Sequence, residues 1–265
     1  MNTSKMDMEG QYKVICPVNP RSKFSNGYKI MHGLVNSPQN KINADGHLEL
    51  DYQYLAGKTG MDADAGWTAF IDTKSGKVFV LMFQFEENSS YPEDTSLQFW
   101  TAGKGLVYSR NVIREHRDDK ELNPPYLEME LLSPLKMIQP GKSIHFEYRM
   151  LTCTIPEGCV VKSVNPLGVI SSPLQCKWEN DKLFVYAKYG VYKDGIIQLN
   201  FKDEAGNQFE KVREIYSEKA SPSKGIYIDI KTDIDKCLFD REVYLVVDFF
   251  DLDNHFVGLI DHIKI

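Results

Sequence analysis

Tyr126-Leu-Glu-Met-Glu-Leu-Leu-Ser-Pro-Leu-Lys-Met-Ile-Gln-Pro-Gly-Lys-Ser143 is the stretch from which the fold class is read. In an extended chain successive side chains point to opposite sides. Tyr126, Glu128 and Glu130 therefore share one face, and Leu127, Met129 and Leu131 share the other. That alternation is the pattern of a half-buried β-strand, with one face packed and one presenting carboxylates. Pro140-Gly141 marks a turn. Beyond it Ile144, Phe146, Tyr148 and Met150 alternate with His145, Glu147 and Arg149, so the two segments read as a hairpin that closes a domain.

Working outward, residues 1–27 carry little periodicity, and Pro17, Pro20, Ser22, Ser25, Asn26 and Gly27 mark an arm leading into the first strand. Residues 28–35 and 47–55 read as strands, with a polar loop over 57–66. Residues 67–71 and 77–85 form an expected hairpin around the turn at 72–76, and the second strand is apolar on both faces as far as Phe83. In a short strand over 96–101, Ser96, Gln98 and Trp100 share one face and Leu97 and Phe99 the other. Residues 103–125, centred on Arg114-Glu-His-Arg-Asp-Asp-Lys-Glu121, read as a solvated face, as a short helix or as a loop folding over a neighbouring surface.

Downstream, Thr154-Ile-Pro-Glu-Gly158 reads as a linker between two strand-rich regions. Strands are expected at 160–164, 174–178, 183–189, 195–202, 209–215, 226–230, 242–248 and 256–265, separated by turns rich in Asn, Asp and Gly. This spacing is the signature of an immunoglobulin-like sandwich. The expected protein is all-β, with one domain over residues 1–152 and a second over 153–265.

With Lys+Arg 31 against Asp+Glu 37 the formal net charge is -6, which disfavours nucleic acid as a partner. No apolar run reaches membrane-spanning length, so no membrane span is expected. The first residues lack the apolar core and cleavage site of a signal peptide, which reads as cytoplasmic for the chain as written and extracytoplasmic if the true start lies upstream. Five cysteines without Cys-x-x-Cys spacing argue against zinc. Cys153 and Cys159 flank a short loop and could bridge, but buried free thiols are the preferred reading.

Nucleophile elbows, phosphate-binding glycine loops and His-Glu-x-x-His are absent, and the six histidines have no metal-ligand spacing. Asp62 and Asp64 before Gly66 resemble the start of a calcium loop whose later ligands are missing, and Asp251 and Asp253 fit a hairpin turn. No metal and no cofactor are expected. Glu128 and Glu130 are the acid/base candidates, since such chemistry needs a carboxylate on a rigid element. Trp67, Tyr91, Trp100 and Tyr126 are candidates to stack on the apolar face of a sugar, with core packing the alternative for each.

The order of motifs is more specific than any one of them. Lys58-Thr-Gly60, Gly66-Trp-Thr-Ala-Phe70, Gly76-Lys-Val-Phe79, Tyr91-Pro92, Leu97-Gln-Phe-Trp-Thr101, Tyr126-Leu-Glu-Met-Glu-Leu-Leu-Ser-Pro134 and Gln139-Pro-Gly-Lys-Ser143 together resemble a family within the galactose-mutarotase-like, or aldose 1-epimerase-like, superfamily. The resemblance covers about residues 28–152. It implies a partial β-supersandwich with a carbohydrate-binding surface that includes Lys58 and Gln98, the latter at a position where the family tends to carry an acid. In aldose epimerases of this superfamily a glutamate on a late strand removes the anomeric hydroxyl proton and histidines assist at the ring oxygen. Glu130 looks like that glutamate, although the assisting histidines normally come from earlier strands.

Three functions follow as expectations: a non-catalytic carbohydrate-binding protein, an enzyme acting at an anomeric centre (an epimerase or a glycan-processing hydrolase) with Glu130 as base and Glu128 or a loop residue as partner, and a structural or protein-interaction module. The first requires the least of the residues present.

Overall fold

The computed structural model describes residues 11–109, 112–180, 182–209, 215–234 and 242–265. Among them the regular structure is strand, apart from one 3-10 turn at Pro92–Asp94. The protein is all-β, built from antiparallel sheets. No helix of the described residues is long and apolar enough to cross a membrane. The chain forms two compact units, Met1–Asp72 with Val80–Met150 and Thr73–Phe79 with Leu151–Ile265.

The strands of the first part are β1 (Tyr12–Pro17), β2 (Lys29–Gly33), β3 (Asn40–Ile42), β4 (His47–Asp51), β5 (Gly57–Met61), β6 (Trp67–Asp72), β7 (Lys77–Phe83), β8 (Leu97–Thr101), β9 (Gly105–Ser109), β10 (Val112–His116), β11 (Leu127–Leu131) and β12 (Tyr148–Thr154). One sheet has the order β12-β7-β6-β1-β4-β3, and the division between the units runs through β7 and β12. A second has the order β11-β8-β5-β2, and β9 pairs with β10. Val14, Cys16, Leu48 and Leu50 of the first sheet and Met61, Leu97 and Phe99 of the second share one core, so the two sheets pack as layers of a sandwich.

Four expectations are corrected here. The arm at 1–27 contains β1, which lies between β6 and β4. Its Val14, Ile15 and Cys16 are all buried, so a strand covered on both sides shows no alternation. The polar loop at 57–66 contains β5, whose Gly60 answers to close packing. A Cβ on Gly60 would lie 2.6 Å from the Thr95 methyl and 2.9 Å from Met31 Sδ. The charged segment 103–125 folds as the β9–β10 hairpin, with residues 110–111 outside the described set. Finally, β11 and β12 belong to different sheets and make no hairpin, because residues 132–147, which include Pro134 and Pro140, form no strand.

The second part contains β13 (Ser163–Val164), β14 (Gly168–Glu179), β15 (Lys182–Val191), β16 (Gly195–Asp203), β17 (Tyr216–Ala220), β18 (Ile226–Asp233), β19 (Val243–Phe250) and β20 (Phe256–Lys264). They form two four-stranded sheets, β13-β14-β15-β18 and β17-β16-β19-β20. Every second residue points inward: Leu183, Val185, Ala187 and Tyr189 of β15 meet Ile197, Leu199 and Phe201 of β16 and Val243, Leu245, Val247 and Phe249 of β19 in one core. The strand expected at 209–215 falls mostly on residues 210–214, outside the described set.

Thr154-Ile-Pro-Glu-Gly158 is no loose linker. Ile155 is buried and its N–H donates to Gly76 O at 2.8 Å, while Gly158 N–H donates to Thr73 O at 3.1 Å. Gly76 sits at φ +69, with a would-be Cβ 2.1 Å from Ile155 O, so only glycine fits there. Cys16, Cys153, Cys159 and Cys176 are free thiols, and Cys237 lies outside the described residues. Burial pushes the Cys153 thiol up to about 12, which makes it an inert apolar group. Asp251 caps the β19–β20 turn, its Oδ1 accepting from the N–H groups of Asp253 at 3.0 Å and His255 at 2.8 Å.

Candidate functional site

The register of the sheet β11-β8-β5-β2 decides which side chains meet. Glu128 pairs with Trp100, Trp100 with Lys58, and Lys58 with His32. Glu130 pairs with Gln98, and Gln98 with Gly60. Paired residues of neighbouring strands project to the same side. His32, Lys58, Gln98, Trp100, Glu128 and Glu130 therefore occupy one face, while Leu97, Phe99 and Met61 fill the core behind it. Leu127, Met129 and Leu131 pack against that core, as the alternation of the 126–131 stretch requires.

Lys58 reaches across β8, and its Nζ donates to Glu130 Oε2 at 3.0 Å. The Lys58 side chain is 18% exposed and that of Glu130 33%, so the pair is partly shielded from solvent yet open to a ligand. The His32 ring stands edge-on to Trp100, with centroids 5.8 Å apart and planes at 70°. Burial, then the nearby Lys58 ammonium, hold the His32 imidazole below its usual range, with Glu93 opposing. The shift favours the neutral form of the ring. Substituting Lys58→Met should raise the His32 titration midpoint, readable from the imidazole proton shifts in an NMR pH series. A midpoint that stays put or falls would mean that Lys58 does not act on this ring.

The other expected residues divide. Gln98 lies on the face but is buried, its Nε2 donating to Thr95 Oγ1 at 2.7 Å and to Glu93 Oε2 at 3.3 Å, so its amide fixes the 93–95 turn. Tyr126 is exposed at the start of β11, where its C=O accepts from Ala102 N–H at 2.9 Å. Trp67 is not on this sheet. It is buried on β6, with its ring 5.7 Å from that of His47 at 90°, which is the core-packing alternative. Tyr91 is buried in the loop before β8, stacked 5.3 Å from Phe85, with its hydroxyl accepting from Glu86 N–H at 2.9 Å. It borders a separate cleft of ≈ 250 Å³ beside Asp62. Asp62 itself accepts from Ser22 Oγ at 2.6 Å, so that carboxylate serves the loop.

His32 was not singled out from the sequence, and plain alternation would have misplaced it. Ile30 pairs with Thr59 on the core side, and a register shift before His32 turns the histidine to the opposite face. No local signal marks that bulge. No family model matches the chain, and no curated protein matches it significantly.

The face carries an aromatic surface, hydrogen-bond donors and acceptor oxygens side by side. Trp100 offers an aromatic surface, Lys58 spare N–H donors, His32 an imidazole ring, and Glu128 and Glu130 acceptor oxygens. A base at Glu130 would have to act through Oε1, since Oε2 accepts from Lys58.

Proposed function

We propose that the face of β11-β8-β5-β2 binds carbohydrate and performs no reaction on it. The observation that carries this reading is the Lys58–Glu130 pair standing beside Trp100 on one rigid sheet face. A pyranose is amphipathic: its C–H face suits the negative face of an indole, and its hydroxyls both donate and accept. A carboxylate and an ammonium side by side meet vicinal hydroxyls with complementary hydrogen bonds without selecting for net charge. The motif resemblance to the mutarotase-like superfamily points the same way. On this reading the first unit is a partial supersandwich of that kind. The second is an immunoglobulin-like sandwich, supported by its paired four-stranded sheets.

Calorimetric titration with monosaccharides and with plant-type oligosaccharides tests the proposal. Heat of binding is expected for at least one, reduced roughly tenfold or more in affinity by Trp100→Ala, a loss typical of a stacked aromatic anchor. No heat from any sugar would leave the structural-module reading. Aldose anomerisation followed by NMR tests the non-catalytic part: a rate equal to that of buffer is expected. Acceleration that disappears in Glu130→Gln would restore the epimerase reading.

A further inference from the structure

The outward face of the sheet β17-β16-β19-β20 is unlike a plainly solvated sandwich face. Since Val243, Leu245, Val247 and Phe249 fill the core, Tyr244, Val246, Asp248 and Phe250 point away from it. They pair with Lys202, Asn200, Gln198 and Ile196 of β16 and with Lys264, His262, Leu259 and Phe256 of β20. Here the side chains leave a cleft of ≈ 540 Å³ bordered by Lys202, Tyr244, Val246, Phe256, Leu259 and His262. That volume is in the range of small-molecule clefts, about 300–1,000 Å³.

Beside this cleft is a polar cluster that an ordinary surface does not need. Asp248 is 1% exposed despite its outward orientation. It accepts from Lys202 Nζ at 2.7 Å and from Asn200 Nδ2 at 3.0 Å. The Lys202 ammonium also lies 5.0 Å from the centroid of the Phe256 ring, which is in turn edge-packed 5.7 Å from Phe250. Phe256 and Leu259 are nonetheless 56% and 41% exposed, so a fixed aromatic ring and an aliphatic neighbour remain uncovered.

The lining narrows the ligand. Asp248 compensates Lys202, and Asp203 and Glu204 border the same cleft, which disfavours an anion. Val246, Leu259 and Phe256 disfavour a hydrated cation. An uncharged, flat, amphipathic ring fits: its C–H face on Phe256, its hydroxyls toward Lys202, Tyr244 and His262. We propose that this cleft is a second saccharide site, taking one neutral pyranose unit of a glycan. It stands on the C-terminal unit alone and does not depend on the function assigned to the β11-β8-β5-β2 face.

The test is an amide NMR titration of the full chain carrying Trp100→Ala, so that the weakened first site leaves this one readable. The probes are cello-, xylo-, manno- and galacto-oligosaccharides taken to about 10 mM, enough to register millimolar affinity. At least one series should shift the amides of Tyr244, Val246 and Leu259. Adding Phe256→Ala should weaken that binding roughly tenfold while amides away from Phe250 and Lys202 keep their positions, because the ring is largely exposed. Absence of shifts with all four series, or shifts indifferent to Phe256→Ala, would overturn the proposal.

Discussion

Phe99→Ala is expected to lower the stability of the N-terminal unit by about 3–5 kcal/mol, the usual cost of emptying a buried phenylalanine site. The ring is fully buried and packs in one core with Val14, Leu48, Leu50, Met61 and Leu97, which come from both sheets. It also stands directly behind the candidate face, one residue from Trp100 and paired with Met129 and Thr59. A cavity there would loosen the strand that aims Trp100, so sugar affinity should fall along with stability. Urea unfolding monitored by tryptophan fluorescence measures the first effect. A loss below about 1 kcal/mol would mean that the two sheets do not share this core.

Asp261→Ala should cost the C-terminal unit about 3 kcal/mol or more, because several donors lose one charged acceptor. Asp261 Oδ2 accepts from Leu174 N–H at 2.8 Å and from Tyr189 Oη–H at 3.0 Å, and Oδ1 accepts from His262 N–H at 2.8 Å. The carboxylate on β20 thereby clasps β14 and β15 of the opposite sheet, and Tyr189 is fully buried. Burial, and then the Asp261 charge, raise the Tyr189 hydroxyl well above its ordinary 10.0. A raised folded-state value means that the native state holds this proton more tightly than the unfolded chain. The contribution is therefore complete below pH 10.0 and is lost as the pH climbs above it. Thermal melts should show Asp261→Ala destabilised at neutral pH, and Tyr189→Phe less sensitive than wild type above pH 10.0. Equal alkaline sensitivity of Tyr189→Phe and wild type would remove this tyrosine from the alkaline transition.

The strands legible in the sequence are those with one wet and one dry face. Leu97 and Phe99 against Trp100, Leu127 and Met129 against Glu128, and Leu183 to Tyr189 all alternate because a core lies on one side only. The same logic hides β1, whose consecutive Val14, Ile15 and Cys16 are covered on both sides, and β5, where Gly57 and Gly60 read as loop. In β10 Arg114 and Glu115 obscured a strand whose Val112 to Glu115 are exposed to water and need no apolar stripe. At the candidate site, alternation alone was enough to align Glu128 with Glu130 and Trp100 with Gln98. Long-range register was required to bring in Lys58, and a bulge to bring in His32. Trp67 and Tyr91 show the limit of reading aromatic residues by type: both are buried against other rings.

Carbohydrate binding on the face of β11-β8-β5-β2 is a proposal with a direct test. Backbone amide shifts recorded while oligosaccharide is added to the wild-type chain test it most directly. Shifts are expected on residues 57–61, 97–101 and 127–131, and Trp100→Ala should require roughly tenfold or more saccharide to reach them. A saccharide that binds while leaving all three segments unmoved, or whose shifts there survive Trp100→Ala unchanged, would contradict it.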